Sequence, residues 1–161
     1  MTAMPIASPV VSARAVVTGA SSGIGMELAR ELASRGHSLI IVARRGDILE
    51  ELAVELRTRH DVQVEVRPSD LSDPTAVEIL GAELAQREIS VLCNNAGIAT
   101  FGPVAELDAE YERAQVRLNV NAVHDLTLAV LPQMVARGSG GILMVGSAAG
   151  TWILARLMKW L

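Results

Sequence analysis

The stretch RAVVTGASSGIGMELARELASRG, residues 14–36, decides the fold. Residues 14–18 are mostly apolar and carry the β-branched Val16, Val17 and Thr18, so they read as a short buried strand. That strand runs directly into the glycine-rich turn GASSGIG (19–25). Met26, Leu28, Ala29 and Leu32 then recur at helical spacing until Gly36 stops the helix. SLIIVA (38–43) comes next as a continuous apolar run, the pattern of a parallel strand covered on both faces.

Working outward, the same unit repeats. Asp47 with Glu50 three residues on has the form of a capping box, and the leucines of ILEELAVELRTR (48–59) recur at helical spacing. VQVEV (62–66) alternates as a third strand. Ser72, Asp73 and Pro74 signal the start of a helix over TAVEILGAELAQR, which leads into a fourth strand, ISVLC (89–93). A long helical stretch from about Asp108 to Arg137 places Val116, Val120, Val123, Thr127, Val130 and Met134 down one side and ends at Gly138. ILMVG (142–146) is the fifth strand. Strands alternating with helices imply right-handed crossovers and a parallel sheet, an α/β doubly wound architecture.

Composition bounds what such a domain can do. The chain has 161 residues, half of them apolar, enough for one core, and a net charge of −4 with no dense Lys/Arg stripe. Nucleic-acid binding rests on concentrated positive charge, so no nucleic-acid partner is expected. Cys93 is the single cysteine, which rules out an internal disulfide and fits a reducing, cytoplasmic setting; a small buried hydrophobe is its expected role. No stretch reaches about 18 uninterrupted apolar residues, so no membrane span is expected. No metal-ligand pattern is present in the expected site.

The chemistry concentrates in the first turn. Glycines at 19, 23 and 25 let backbone approach a pyrophosphate, and the amides and dipole of the adjoining helix favour negative charge. Ser21 and Ser22 are placed either to cap that helix or to donate to phosphate. A tight strand-to-helix turn without a ligand is the alternative reading of the turn alone. Taken with Asn94-Asn95-Ala96-Gly97 and with Gly146-Ser147, in this order and at these spacings, the turn resembles the short-chain dehydrogenase/reductase family over about Arg14 to Gly150.

The resemblance implies a Rossmann-like sheet, incomplete at about five strands in the order 3-2-1-4-5. Residues 1–12 are then an N-terminal extension, 13–150 a dinucleotide-binding domain and 151–161 a divergent tail. It also implies an NAD(P)-dependent oxidoreductase acting on a small carbonyl or alcohol. Gly19, Ser21, Ser22, Gly23, Ile24 and Gly25 would hold the pyrophosphate, Asp70 and Leu71 the adenine, and Asn95, Ala96 and Gly97 the ribose side.

At the end of the second strand stand Arg44 and Arg45, with no carboxylate to bond a ribose diol. Guanidinium matches a 2′-phosphate, so NADP is favoured over NAD. A solvated arginine pair is the alternative, and Ser22 stands where family NADP enzymes often carry a second basic residue. Ser147 resembles the family serine that bonds the substrate oxygen, and Asn119 the asparagine that holds a water in the proton relay; Asn121 is its rival.

One departure bears on activity. The family's proton donor is a tyrosine with a lysine four residues later, expected about thirteen residues after Ser147, and that position is Trp160. Tyr111, the single tyrosine, lies in an unrelated context, as does Lys159. The expectation is a truncated family member, inactive as this chain. A non-catalytic dinucleotide-binding or interaction module, or a frameshifted or early-stopped fragment, are the alternatives. An exposed fifth-strand edge and an uncovered face of the Val120/Val130 helix would favour association, including homo-oligomers.

Overall fold

The computed structural model describes Pro9 and residues 12–147. The extension read over 1–12 and the tail at 151–161, with Lys159 and Trp160, therefore lie wholly or mostly outside the described residues.

Five parallel strands form one sheet in the order β3-β2-β1-β4-β5. They are β1 (Arg14–Thr18), β2 (Ser38–Ala43), β3 (Val64–Pro68), β4 (Ile89–Asn94) and β5 (Gly141–Met144). The helices are α1 (Gly23–Ser34), α2 (Gly46–His60), α3 (Pro74–Ala85), α4 (Ala109–Val116) and α5 (Val123–Arg137). This is the expected Rossmann-like sheet and strand order.

Strand alternation supplies two cores, one on each face. Ala15, Val17, Leu39 and Ile41 meet α1 and α2 through Ala29, Leu32, Leu49, Leu52 and Leu56. Val16, Ile40, Val42 and Leu92 meet α3 and α5 through Leu80, Leu84, Leu126 and Val130. Because both faces are covered, β2 and β4 are apolar almost throughout.

Several local expectations are corrected. β3 starts at Val64, not Val62. The chain leaves α2 through Asp61 in the left-handed region (φ 54°), and pairing with β2 begins at Leu39↔Val64. The strand runs on to Pro68, whose missing N–H is tolerated on an edge strand. β5 is pulled back to 141–144, where it pairs with β4.

Asp47 is not a cap: α2 opens two residues earlier than that cap would place it, at Gly46 with Arg45 as its N-cap, which puts Asp47 in the first turn. There its charge still suits the helix dipole. Asp73 does cap α3, accepting from Thr75 N at 2.9 Å with Pro74 behind it. Gly138 ends α5 in the left-handed conformation (φ 66°) as expected.

The long helical stretch is continuous but uneven. Between α4 and α5 the backbone widens into π-type turns over Arg117–Ala122, so the apolar stripe changes phase. The residues that pack on the sheet are Ala122, Leu126, Val130 and Met134, four apart, while Val116 and Val120 are exposed. Val130 therefore belongs to the covered face, and the uncovered face consists of Val116, Val120, Leu128, Leu131 and Val135.

Candidate functional site

At the carboxyl edge of the sheet the connections leave β1 and β4 in opposite directions, because β1 leads to β2 on one side and β4 to β5 on the other. Such a switch point opens a crevice between the two strand ends. A cavity of about 750 Å³ lies there. Into it come the turn after β1, the end of β2, the residues after β3, β4 and β5, and one turn of the π-type segment.

The glycine turn is shaped by its backbone. Gly19 sits at φ +68°, where a Cβ would come within 2.8 Å of Ala96 Cα and of Asn95 Nδ2. Gly25 is packed still closer, since a Cβ there would stand 2.3 Å from the Gly19 carbonyl oxygen. Gly23, at φ +53°, has open space beside it. Ser22 occupies the N-cap of α1 but makes no side-chain capping bond, and the first turn of α1 carries no acidic residue. The opening amides of α1 thus lack a side-chain cap beside the cavity, and Ser22, Gly23 and the exposed Ile24 line it. An uncapped helix start on a glycine cradle suits an anionic group, so these residues fit a pyrophosphate.

A network centred on Thr18 anchors the turn from below. Thr18 Oγ1 donates to Cys93 O (3.2 Å) and accepts from Asn95 N (2.9 Å) and Ala96 N (3.0 Å). Asn95 Nδ2 donates to Thr18 O at 2.9 Å. Asn95 and Ala96 thereby hold the turn in place as well as lining the cavity with Gly97. Thr18 opens the turn in the sequence, but its anchoring role is not legible there, because its partners are 75 to 78 residues away.

The arginines at the end of β2 are deployed differently. Arg45 folds over the turn: its Nη2 donates to Ser21 O at 2.9 Å and to Ser21 Oγ at 3.1 Å, and its Nε reaches Ser21 Oγ at 3.3 Å. The Ser21 hydroxyl is therefore engaged by Arg45 and does not cap the helix. Arg44 is exposed and lines the same cavity. Across from it, Asp70 Oδ1 accepts from Ser72 N (3.0 Å) and Ser72 Oγ (2.7 Å). Burial alone would raise the Asp70 pKa, but the two bonds from Ser72 and the Arg44 charge outweigh it and hold the carboxyl below its ordinary value. Leu71 is buried and joins the core of the α3 face while also lining the cavity.

Asn119 and Ser147 line the same cavity. Asn119, in the π-type segment, clamps the loop after β4, accepting from Ile98 N at 3.1 Å and donating to Ile98 O at 2.8 Å. Its partner is thus a loop 21 residues distant, not the neighbouring helix backbone. Asn121 faces a smaller crevice with Arg117 and Asp125. Sequence reasoning also missed Val42, Ala43, Ile98 and Val145 as cavity walls, for apolar residues at strand ends and in the loop after β4 carry no signal beyond that of core. Tyr111 is exposed on α4 and is not among the cavity residues. Cys93 is buried, and that burial pushes its thiol up to about 11.

The family model described as short chain dehydrogenase matches residues 13–158. The chain is 34% identical over 148 residues to a very-long-chain 3-oxoacyl-CoA reductase-A of Danio rerio, covering 89% of this chain and 46% of that one. It is 40% identical over 141 residues to an NADP-dependent 3-hydroxy acid dehydrogenase of Schizosaccharomyces pombe, covering 84% and 54%. Among solved structures, a short-chain dehydrogenase from Sphingobium yanoikuyae in complex with NADPH superposes with a TM-score of 0.83 at 38% identity, covering 86% of this chain and 55% of that one. The chain spans about half the length of the curated relatives it matches.

Proposed function

The chain belongs to the short-chain dehydrogenase family, and from that premise we propose that its carboxyl-edge cavity binds NADP for oxidoreduction of a carbonyl or alcohol. The observation that carries the reading is the pairing of the uncapped glycine cradle with Arg44 at the end of β2, on a cavity of dinucleotide size. The Sphingobium yanoikuyae relative is described with NADPH and the Schizosaccharomyces pombe relative as NADP-dependent, which supports the same cofactor here.

In this reading Gly19, Ser22, Gly23, Ile24 and Gly25 meet the pyrophosphate through backbone amides, and Arg44 meets the 2′-phosphate. Asp70 with Leu71 borders the adenine, and Asn95, Ala96 and Gly97 border the ribose on the nicotinamide side. A bound nicotinamide supplies the hydride. Ser147 offers a hydroxyl to the substrate oxygen, and Asn119 fixes the loop at Ile98 that closes one wall. Neither a serine hydroxyl nor an amide is a ready proton donor at neutral pH, and Tyr111 stands away from the cavity. The 161-residue chain is therefore expected to turn over ketones or alcohols at no more than trace rate, since general acid catalysis of such a step is worth about 10²- to 10⁴-fold. A ketone and alcohol panel followed at the nicotinamide absorbance band measures this; robust turnover that vanishes in Ser147→Ala would overturn the expectation and require an acid elsewhere at this cavity.

Calorimetric titration at moderate salt tests the cofactor reading. NADPH is expected to bind more tightly than NADH by roughly 1 to 3 kcal/mol, the range of charged hydrogen bonds reduced by exposure. Equal affinities, or a preference for NADH, would overturn it.

A further inference from the structure

Arg44 and Arg45 are neighbours in sequence and unlike in geometry. Arg45 commits its fork to Ser21, with three contacts of 2.9 to 3.3 Å to the carbonyl and hydroxyl of a residue that is itself buried. Arg44 makes no hydrogen bond or ion pair among the described residues and reaches Asp70 only as a charge. Beside Ser21, Ala20 N donates to Val42 O at 3.2 Å, so the turn is tied to β2 by one backbone bond and then by Arg45. Ser21 directly precedes the uncapped start of α1. A guanidinium that bridges the end of β2 to this residue fixes where the amides of Ser22, Gly23 and Ile24 point.

We propose that the two arginines divide the work: Arg45 is a positioning residue that braces the pyrophosphate turn through Ser21 and so serves any dinucleotide, while Arg44 alone reads the 2′-phosphate. This rests on the NADP reading given above. The planar fork fixes the brace, because Nη2 reaches both Ser21 oxygens while Nε adds a second contact to the hydroxyl and so sets the plane of the guanidinium. An ammonium at position 45 would keep the charge but lose the second nitrogen and the preorganised plane, on a flexible stem. Methionine matches the length of the apolar stem and removes the fork.

The test titrates NADPH and NADH into the parent chain and into Arg44→Met, Arg45→Met and Arg45→Lys, with the thermal midpoint of each. Arg44→Met is expected to weaken NADPH by about tenfold or more and to leave NADH within about twofold. Arg45→Met is expected to weaken both nucleotides by the same factor, about five- to tenfold, at an unchanged thermal midpoint. Arg45→Lys should recover less than half of that loss.

Loss confined to NADPH in Arg45→Met would make Arg45 a second phosphate reader and overturn the division. Full recovery in Arg45→Lys would show that charge, not the brace, matters. An affinity loss that tracks a fall in thermal midpoint would reduce the contact to general stability. A parent chain that binds neither nucleotide, or prefers NADH, would instead bring down the cofactor reading and the inference with it.

Discussion

At the scale of single residues, the turn's glycines differ in what they tolerate. Gly19→Val is expected to abolish dinucleotide binding, because the added atoms would meet Ala96 Cα and Asn95 within 2.8 Å on a backbone at φ +68°. Gly23→Ala meets no neighbour and is strained only by its left-handed φ of +53°, at a cost of about 1 to 2 kcal/mol. Titration of each variant beside its thermal midpoint separates these effects. Cys93 gives a second check: buried, with its thiol pushed up to about 11, it is expected to resist a thiol reagent at about pH 8 in the folded chain and to react once unfolded. Much of this was legible in the sequence, for the glycines and the buried cysteine act locally. The engagement of Arg45 with Ser21 was not, since it joins residues 24 apart through a rotamer that composition does not encode.

Elements show where periodicity misleads. A single 3.6-residue period run from Asp108 to Arg137 puts Val116 and Val120 on the covered side, but the wide turns at Arg117–Ala122 rotate the helix beyond them, and only α5 packs as a clean stripe. Leu126→Ala is thus expected to cost about 2 to 5 kcal/mol, whereas Val120→Ser should stay within about 0.5 kcal/mol; urea unfolding curves of both report the contrast. β3, α3 and the start of β1 are also tied by charge. Glu65 pairs with Arg14 (3.1 Å), Arg67 (3.1 Å) and Arg87 (2.8 Å), and Glu83 with Arg67 (2.8 Å) and Arg87 (3.0 Å). The Arg87 bond chiefly holds the Glu65 carboxyl below its ordinary value, and the Arg67 bond does the same for Glu83. Depressed carboxyls stabilise the fold above the ordinary glutamate range, and that contribution is lost as pH falls from that range through the lower folded values. Glu65→Gln should therefore flatten the acid branch of a stability-against-pH curve below about pH 4.5 and lower the plateau above it. A curve parallel to the parent's would show that the network does not titrate.

For the molecule as a whole, the parallel doubly wound sheet was legible because alternating strands and helices with right-handed crossovers leave few arrangements, and the strand order came with the family resemblance. The cavity's outline was not, as it depends on how β1 and β4 part. The exposed stripe of Val116, Val120, Leu128, Leu131 and Val135 is apolar surface that the helical stretch does not bury against the sheet. The split between β1 and β4 carries a consequence of its own. Beyond the last paired residues, the Thr18 hydroxyl substitutes for a ladder rung by taking the amides of Asn95 and Ala96. Those two amides lie in a loop, yet in deuterated solvent they should exchange as slowly as strand amides, and in Thr18→Val they should exchange as fast as their exposed neighbours. A single hydroxyl would then set how far the two halves of the sheet breathe apart.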